Sequence, residues 1–372
     1  MPSLNSFKIF KLLLIGITFF LETEASAEPQ LELPDISENA IMGYTSGLRP
    51  FRNGGIRLEI ETLGDKRIIH NYGHGGSGIS LSWGTAAISL QLLDKHLEEV
   101  APSEIKEIAV LGSGVIGLTT AHLLLEKGYK VHIYAKDFPP NTTSNVAPAI
   151  WSPFILGDVD LDNKTFWEIY KFSLQKYRSL AFSENPEFKG VRYVNAYSFR
   201  PDPPSHSNIS EDIYEKKKTI QVLLPNEKLI IGKAYKQLLI DTSIYMEDLY
   251  QKVKRQGALF TSCHLKNWEE LKTIPEKLVF NCLGLGSREV FQDTALEGIR
   301  GQIIYLKPSQ EINYALFGRQ KMEDPDIYFI PLNEKIALGG SYELNENTDK
   351  YDKTVVDEIL NSTRKFFKLA CD

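Results

Sequence analysis

Apolar residues in the first third of the chain follow two spacings, one typical of strands and one typical of helices. Residues 68–71 have strand character and lead into a glycine-rich turn at residues 73–78. Apolar positions then recur at helical spacing over residues 79–100, and Ala-Pro-Ser at residues 101–103 breaks the helix. The pattern predicts a strand, a tight glycine turn and a helix in succession.

A second unit of the same kind follows at once. Residues 108–111 predict a buried strand, and residues 112–117 read Gly-Ser-Gly-Val-Ile-Gly. A helix over residues 118–127 then leads to a strand at residues 131–134. A G-x-G-x-x-G turn between a strand and a helix has the context that a dinucleotide-binding unit requires.

The three glycines of this turn have separate tasks. Gly112 permits the turn, Gly114 lets a pyrophosphate approach the backbone, and Gly117 lets the helix pack on the strand. The N-terminus of the helix faces the negative charge. An acid about 20 residues further on binds the ribose hydroxyls in such units, and Asp137 can do so. Lys136 leaves open a cofactor that carries a 2′-phosphate, so the turn alone does not distinguish FAD from NAD or NADP.

The remainder of the chain mixes strands and helices in a different style. Helices are predicted near residues 164–182, 243–256 and 353–369, and strands near residues 191–199, 221–224, 278–282, 301–306, 328–331 and 336–338. Parallel units around the glycine turn and antiparallel pairing elsewhere predict an α/β protein. We expect a Rossmann-type domain and a second, mostly antiparallel α+β domain.

Composition limits the classes of partner. Of 372 residues, 42% are hydrophobic and 24% are charged, which is enough apolar mass for one or two cores. The net charge is −6, and nothing in the sequence suggests a basic patch for a phosphate backbone. We therefore expect no nucleic-acid partner.

The first 27 residues predict a secretory signal peptide. Lys8 and Lys11 precede an apolar run at residues 12–21, and Ala25-Ser26-Ala27 offers a small-residue cleavage site. An apolar run of about ten residues is short for a membrane span. We expect export to a periplasm or the outside of the cell, with an uncleaved membrane tether as the alternative. The polar residues 28–40 predict a linker.

The three cysteines, Cys263, Cys282 and Cys371, have no spacing typical of metal ligands or of a disulfide framework. The sequence therefore predicts no metal site.

Several blocks of the sequence resemble one family of flavin enzymes. The segment Ile69-His70-Asn71-Tyr72-Gly73-His74-Gly75-Gly76-Ser77-Gly78, followed by Trp83-Gly84, looks like the signature of D-amino-acid and D-aspartate oxidases. Further blocks match at residues 47–50, 110–117, 142–143, 151–154, 281–282, 300–302 and 328–340. Together they cover nearly all of residues 41–370, so the chain resembles the D-amino-acid oxidase family.

The order of these blocks departs from the family. In the family the glycine turn opens the chain and the histidine-glycine block closes it, whereas here residues 41–99 come first. We interpret this order as a circular permutation, which chains tolerate where their termini lie close together at the surface. It predicts residues 68–69 next to strand 108–111, and ends near residues 40 and 370 close together. The alternative is a rearranged-gene remnant without a working product.

The resemblance implies a cofactor, a reaction and two domains. FAD would take a hydride from the substrate Cα at flavin N5, and the imine would hydrolyse to a 2-oxo acid and ammonia. Oxygen would reoxidise the flavin and give hydrogen peroxide. The FAD-binding domain would comprise residues 41–155 and about 238–286, and the substrate domain about 156–237 and 287–372.

The resemblance also implies roles for single residues. Arg49 stands at the carboxylate-binding arginine, Tyr328 at the tyrosine that assists it, and Gly76 where a backbone carbonyl receives the substrate amine. His70 and His74 are taken as structural. The cofactor-binding residues implied are Gly112, Ser113, Gly114, Val115, Ile116, Gly117, Lys136, Asp137, Thr142, Thr143, Ala149, Ile150, Leu265, Gly75, Gly76, Ser77, Gly78, Ile79 and Ser80.

Three rival functions remain open: a glycine- or sarcosine-type FAD oxidase, a pyridine-nucleotide dehydrogenase, and an exported flavin-fold protein without turnover. A homodimer is also left open. Within the D-amino-acid oxidase reading, Tyr342 stands where the D-aspartate branch carries arginine, and Glu323 and Asp324 are expected near the pocket. We therefore expect a neutral or basic D-amino acid as substrate rather than D-aspartate.

Overall fold

The computed structural model describes residues 31–99, 107–153, 157, 163–200, 215–223, 229–319 and 326–367. The predicted signal peptide, Glu323, Asp324 and the connection at residues 100–106 lie outside these ranges. The helices are α1 (Gly78–Glu99), α2 (Val115–Glu126), α3 (Thr143–Val146), α4 (Lys164–Phe182), α5 (Thr242–Arg255), α6 (Gly286–Val290) and α7 (Lys353–Phe367). Among the described residues, no helix is both long enough and apolar enough to cross a membrane.

The described residues contain fifteen strands, which form two sheets. They are β1 (Ile41–Arg52), β2 (Arg57–Leu63), β3 (Lys66–Tyr72), β4 (Glu107–Leu111), β5 (Lys130–Ala135), β6 (Ala149–Ile150), β7 (Val191–Phe199), β8 (Glu215–Leu223), β9 (Leu229–Ile240), β10 (Leu259–Ser262), β11 (Leu278–Asn281), β12 (Leu296–Leu306), β13 (Tyr314–Gly318), β14 (Ile327–Pro331) and β15 (Ile336–Gly339).

The smaller sheet has six strands in the order β10-β5-β4-β11-β3-β2. All its pairings are parallel except the antiparallel pairing of β2 with β3. Helices α1, α2, α4 and α5 contribute to the apolar core on one face of this sheet. Connections between parallel strands pass through helices, which explains the near-continuous apolar runs of β4 and β11. The predicted Rossmann-type architecture is confirmed.

The neighbour of β3 differs from the prediction. We expected residues 68–69 to lie next to strand 108–111, but β11 lies between β3 and β4 and pairs in parallel with both. All four residues of β11 are buried. A strand that is apolar on both faces is stable in the interior of a sheet, where both of its edges and both of its faces are covered.

The larger sheet has nine strands, with the path β1-β12-β15-β14-β13-β7-β9-β6 and β8 paired to β9. Its pairings are antiparallel apart from that of β13 with β7. Helix α7 packs on it in a second core. Leu31 and Ile36 are buried in the same core. The linker prediction is therefore wrong for residues 31–40, because these apolar side chains pack against the larger sheet.

Two elements, β1 and α4, pack in the other domain from the one to which the expected boundaries assign them. β1 falls within 41–155 but pairs with β12 in the larger sheet. α4 falls within 156–237 but packs against α1 in the core of the smaller sheet. A Cβ atom at Gly84 would lie 2.1 Å from the carbonyl oxygen of Ile169, so glycine at this position allows α1 and α4 to touch.

Residues 41–99 are therefore shared between the two sheets. β1 forms an edge of the larger sheet, whereas β2, β3 and α1 complete the smaller one. At the other end of the chain, Phe367 of α7 belongs to the core that holds Leu31. Residues 368–372 lie outside the described part, so the proximity expected for residue 370 stays a prediction.

Candidate active site

A cavity of about 1500 Å³ lies at the carboxyl ends of the parallel strands. Its wall includes Asn71 at the end of β3, Gly112 after β4, Ala135 at the end of β5 and Cys282 after β11. Residues of β1, β12 and β14 line the same cavity from the larger sheet. Open α/β sheets bind ligands at the carboxyl ends of their strands, so this is where a dinucleotide is expected.

The glycines of the turn at residues 112–117 are required for different reasons. Gly112 has φ +97°, and a Cβ atom there would lie 2.5 Å from the oxygen of Cys282. A Cβ atom on Gly117 would lie 2.0 Å from the oxygen of Gly112, so Gly117 lets α2 pack on the turn and lies behind the cavity wall. At Gly114 the nearest atom would be Ser144 Oγ, at 3.2 Å. Gly114 therefore keeps space open on the cavity side.

The other predicted cofactor residues outside the histidine-glycine block are also brought to the cavity. Ser113, Val115, Ile116, Lys136, Asp137, Thr142, Thr143, Ala149, Ile150 and Leu265 all line it. The Ser113 hydroxyl donates to the backbone oxygen of Asp137, which ties the turn to the end of β5. The side chains of Lys136 and Asp137 are both exposed, and their charged groups lie 3.9 Å apart.

The histidine-glycine block forms a second wall of the cavity. Gly75, Gly76, Gly78, Ile79 and Ser80 line it, where α1 begins. Ser77 does not, since its side chain is buried behind this wall and its N–H donates to the His74 oxygen at 2.9 Å. The implied contact between Ser77 and the cofactor is therefore not supported by its position.

Arg49 and Tyr328 come together at the end of the cavity formed by the larger sheet. The Arg49 guanidinium lies directly on Gly301, where a Cβ atom would be only 2.2 Å from Nη2. The Tyr328 ring lies on Gly339 and Gly340, where a Cβ atom would come within 2.5 Å of the ring at either glycine. The glycines of the blocks at residues 300–302 and 328–340 thus make room for these two side chains.

The charge state of Tyr328 follows from its surroundings. Burial raises the pKa of its phenol above the ordinary value, and the positive charges of Arg49 and Arg200 oppose this shift only in part. The phenol is therefore neutral at physiological pH and can donate a hydrogen bond. The Arg49 guanidinium has Nη1 3.5 Å from the oxygen of Ser341 and carries a positive charge into the cavity wall.

Two further arginines lie at this end of the cavity, and the sequence analysis missed both. Arg200 follows β7 and Arg319 follows β13, and these two strands pair in parallel so that their ends coincide. Both arginines contact Asp326, at 3.1 Å and 2.7 Å. The Arg200 guanidinium also lies 4.9 Å from the centre of the Phe317 ring. These cations run against the expectation of a neutral or basic substrate.

Two residues that line the cavity have buried amide atoms without hydrogen-bond partners among the described residues. Asn71 has no exposed surface, and neither polar atom of its side chain is hydrogen-bonded to a described residue. The Gln237 Oε1 atom is in the same state. Buried polar groups are normally satisfied, so unpaired ones at a cavity wall indicate a ligand with hydrogen-bonding groups. Together with the open space at Gly114, these atoms fit a bound dinucleotide. The position of Asn71 at the end of a strand, directly ahead of the glycine-rich turn, was the signal that could have identified it.

Two buried histidines support the same wall. Burial lowers the pKa of His74 to about 3, and its Nε2 lies 3.1 Å from Thr85 Oγ1. Burial, followed by the nearby charge of Arg57, lowers the pKa of His70 to about 4. The His70 ring connects Glu61, at 2.8 Å, with Asn281, at 3.0 Å. Both rings are neutral at physiological pH and join neighbouring elements.

A glycine turn at the ends of a parallel sheet, open to a cavity that also holds an arginine and a neutral tyrosine, defines a dinucleotide-dependent oxidoreductase. The profile of the FAD dependent oxidoreductase family (DAO) matches residues 107–371. The chain belongs to this family, and its cofactor is FAD.

Two relatives agree with this assignment, and a solved structure shares the fold. The chain is 33% identical over 260 residues to a D-amino-acid oxidase of Dictyostelium discoideum, covering 68% of this chain and 70% of the relative. It is 26% identical over 259 residues to the D-aspartate oxidase of Homo sapiens, covering 68% and 74%. Glycine oxidase from Geobacillus kaustophilus has a similar fold, with a TM-score of 0.53 at 13% identity over 70% of this chain and 77% of that one.

Proposed function

We propose that this chain oxidises a D-amino acid with oxygen and water to a 2-oxo acid, ammonia and hydrogen peroxide. The observation that carries the proposal is the convergence of Arg49 and Tyr328 on the cavity that the glycine turn also enters. The relatives named D-amino-acid oxidase and D-aspartate oxidase support it. The glycine oxidase likeness, at 13% identity, concerns the fold alone.

The smaller sheet holds the cofactor. The backbone of residues 112–117 and the N-terminus of α2 would bind its pyrophosphate, and Asp137 its ribose. The rest of the cofactor would contact Asn71 and residues 75–80 other than Ser77. When bound, FAD supplies the acceptor for the hydride from the substrate Cα and delivers the electrons to oxygen.

The larger sheet holds and orients the substrate. The planar Arg49 guanidinium offers two parallel donors, which suits a carboxylate. The neutral Tyr328 phenol donates a further hydrogen bond to the same carboxylate, and the Gly76 carbonyl accepts one from the amine. Holding both ends of the amino acid fixes its Cα and lowers the entropic cost of reaching the transition state.

His70 and His74 have no acid-base task in this proposal. Both have pKa values far below neutrality because they are buried, and both are held by protein partners. A ring that stays neutral and has a fixed partner is a poor proton carrier at physiological pH.

We also propose that residues 41–99 replace the segment that ends the chain in other family members. They lie outside the profile match at residues 107–371, yet they contribute Arg49, β3 and the histidine-glycine block to the cavity. A chain that starts at Ile105 and carries residues 31–99 after residue 372 tests this reading, because Leu31 and Ile36 belong to the core of the larger sheet. It should bind FAD and turn over like the natural order, and an unfolded product would contradict the permutation.

Export with cleavage after Ala27 is proposed from the sequence alone. Determining the N-terminal residue of the mature protein tests it. An intact Met1 on a membrane-bound protein would favour the tethered alternative.

Anaerobic titration of the yellow protein tests the function. We expect a D-amino acid to bleach the flavin absorbance and its L-enantiomer to leave it unchanged, with peroxide released on admission of air. Reduction by glycine or sarcosine alone would favour that class of oxidase. Turnover with NAD or NADP would favour a pyridine-nucleotide enzyme, and a stable flavin that no substrate reduces would favour a protein without turnover.

A further inference from the structure

Three ligand-type side chains converge at the back of the glycine-turn helix. His122 and Glu126 lie one turn apart on α2, and Glu187 lies in the segment between α4 and β7. One donor atom from each lies within 4.8 Å of the others. These side chains lie outside the cavity wall and have no part in the proposed reaction. The His122 side chain has no exposed surface.

The hydrogen-bond partner of Nδ1 in His122 shows which ring nitrogen carries the hydrogen. Nδ1 is 2.8 Å from the amide oxygen Oε1 of Gln256. An amide oxygen only accepts, so Nδ1 carries the hydrogen and donates it. A neutral His122 therefore presents the lone pair of Nε2 to the cluster. Metal-binding histidines are commonly oriented by such a bond from the other nitrogen.

Nε2 of His122 meets two carboxylates and forms no hydrogen bond. Glu187 Oε1 lies 3.2 Å away and Glu126 Oε1 lies 3.3 Å away. Neither accepts a hydrogen bond from Nε2, which is buried and unpaired among the described residues. A lone pair that faces two carboxylate oxygens is repelled by both, so this position calls for a cation.

Two of the three spacings in this cluster fit a metal ion, and the donor oxygens of Glu126 and Glu187 lie within 4.8 Å of each other. Ligands about 2.0–2.1 Å from a tetrahedral zinc ion are separated by about 3.3 Å along each edge of the tetrahedron. The two distances from Nε2 agree with such an edge. One imidazole and two carboxylates are ligands that zinc and neighbouring divalent metals accept. The Glu126 side chain is 48% exposed, so solvent can supply a further ligand.

Two lysines limit the affinity of the site. Lys176 Nζ donates to the other oxygen of Glu187, Oε2, at 2.8 Å, and Lys252 Nζ lies 3.7 Å from Oε1. Their charges oppose a divalent cation but leave Oε1 turned towards His122. The site is thus weaker than one with a full set of protein ligands and no nearby cations.

We propose that His122, Glu126 and Glu187 bind one divalent transition-metal ion of the zinc class, with Gln256 orienting the imidazole. The ion would connect α2 to the segment that precedes β7. Since it binds the folded chain, it would raise thermal stability with the logarithm of one plus the ratio of its concentration to its dissociation constant.

The experiment uses FAD-loaded, full-length protein treated with a chelator and then titrated with Zn²⁺. Calorimetry gives the stoichiometry, and thermal denaturation gives the change in Tm. We expect one ion per chain and a rise in Tm. Glu126→Gln and Glu187→Gln should each weaken binding by about tenfold or more, as changes around metal ligands do. Glu107→Gln, an exposed carboxylate paired with Lys130, makes the same charge change elsewhere and should bind normally.

Two outcomes of this experiment would contradict metal binding at the cluster. Absence of saturable binding would overturn the proposal and leave His122 as an imidazolium paired with both glutamates. Undiminished binding in the Glu126→Gln, Glu187→Gln double variant would place the metal elsewhere and overturn it as well. Glu126 is largely exposed, so its single variant is expected to fold even if His122→Gln does not.

Discussion

The two ends of the cavity are lined by different parts of the chain, backbone at one end and side chains at the other. At the proposed cofactor end, residues 112–116 of one continuous turn present backbone. At the substrate end, Arg49 on β1, Tyr328 on β14, Arg200 after β7 and Arg319 after β13 present side chains from four strands. A site of backbone from one turn depends on local geometry, whereas a site of side chains from four strands depends on sheet pairing.

The difference has consequences for substitution. A change in the turn should affect retention of the cofactor whichever substrate is offered, because the backbone of the turn does not contact the substrate. A change at the other end should leave the flavin in place and alter turnover or selectivity. Substitutions at five positions test this division, in order of decreasing expected effect.

Substitutions in the turn should have the largest effects, and substitutions of Gly114 and Gly117 should affect different properties of the protein. In Gly117→Ala the new Cβ atom would overlap the Gly112 oxygen, so we expect loss of flavin together with a stability loss of at least about 1–3 kcal/mol. In Gly114→Val the new Cβ atom would meet only Ser144 Oγ, at 3.2 Å, so we expect a near-normal apoprotein Tm but no retained flavin. Flavin content and apoprotein Tm measure this. Normal flavin content in Gly114→Val would refute the assignment of the turn.

Arg49→Leu tests the substrate end. Loss of one member of a buried charge pair costs about 2–5 kcal/mol, so kcat/KM should fall roughly 30-fold to several-thousand-fold. Flavin content should stay normal, and Arg49→Lys should recover part of the activity. Arg288→Leu, an exposed arginine on α6, is the matched control. An unchanged kcat/KM in Arg49→Leu would remove Arg49 from substrate binding.

His74 belongs to the loop that both ends share, and it predicts a pH effect. Its folded pKa of about 3 is below the ordinary 6.5, so between these values the unfolded chain binds more protons than the folded one. Stability should therefore fall as the pH drops below about 6.5, by about 2 kcal/mol at pH 5. His74→Gln should lose this part of the slope of Tm against pH, whereas His96→Gln on α1 should keep it. Equal slopes would contradict the burial argument.

Arg200→Met should have the smallest effect, confined to selectivity. Arg200 is partly exposed and shares Asp326 with Arg319, so its charge is worth about 1 kcal/mol to a charged substrate. We expect kcat/KM for D-lysine relative to D-aspartate to rise about fivefold, with D-alanine nearly unaffected. Arg255→Met, exposed on α5, is the control. A ratio that does not move would exclude Arg200 from contact with the substrate side chain.

The sequence by itself determined the parts that depend on local geometry. Apolar spacing predicted β3, α1, β4 and α2, and the glycines at residues 112 and 117 have the tight surroundings that their pattern implies. The resemblance placed Arg49 and Tyr328 in one site, and the cavity contains both. Helical spacing and tight turns are fixed within a few residues, so one sequence suffices to read them.

The tertiary structure decided what long-range pairing controls. β11 separates β3 from β4, residues 31–40 pack into a core, and parallel pairing of β7 with β13 brings Arg200 to Arg319. The relation of His122 to Glu126 is visible along one helix, but Glu187 reaches them only through the packing of α2 against other elements. Many alternative strand pairings would bury the same apolar faces. The spacing of residues along the chain therefore does not specify which strands become neighbours.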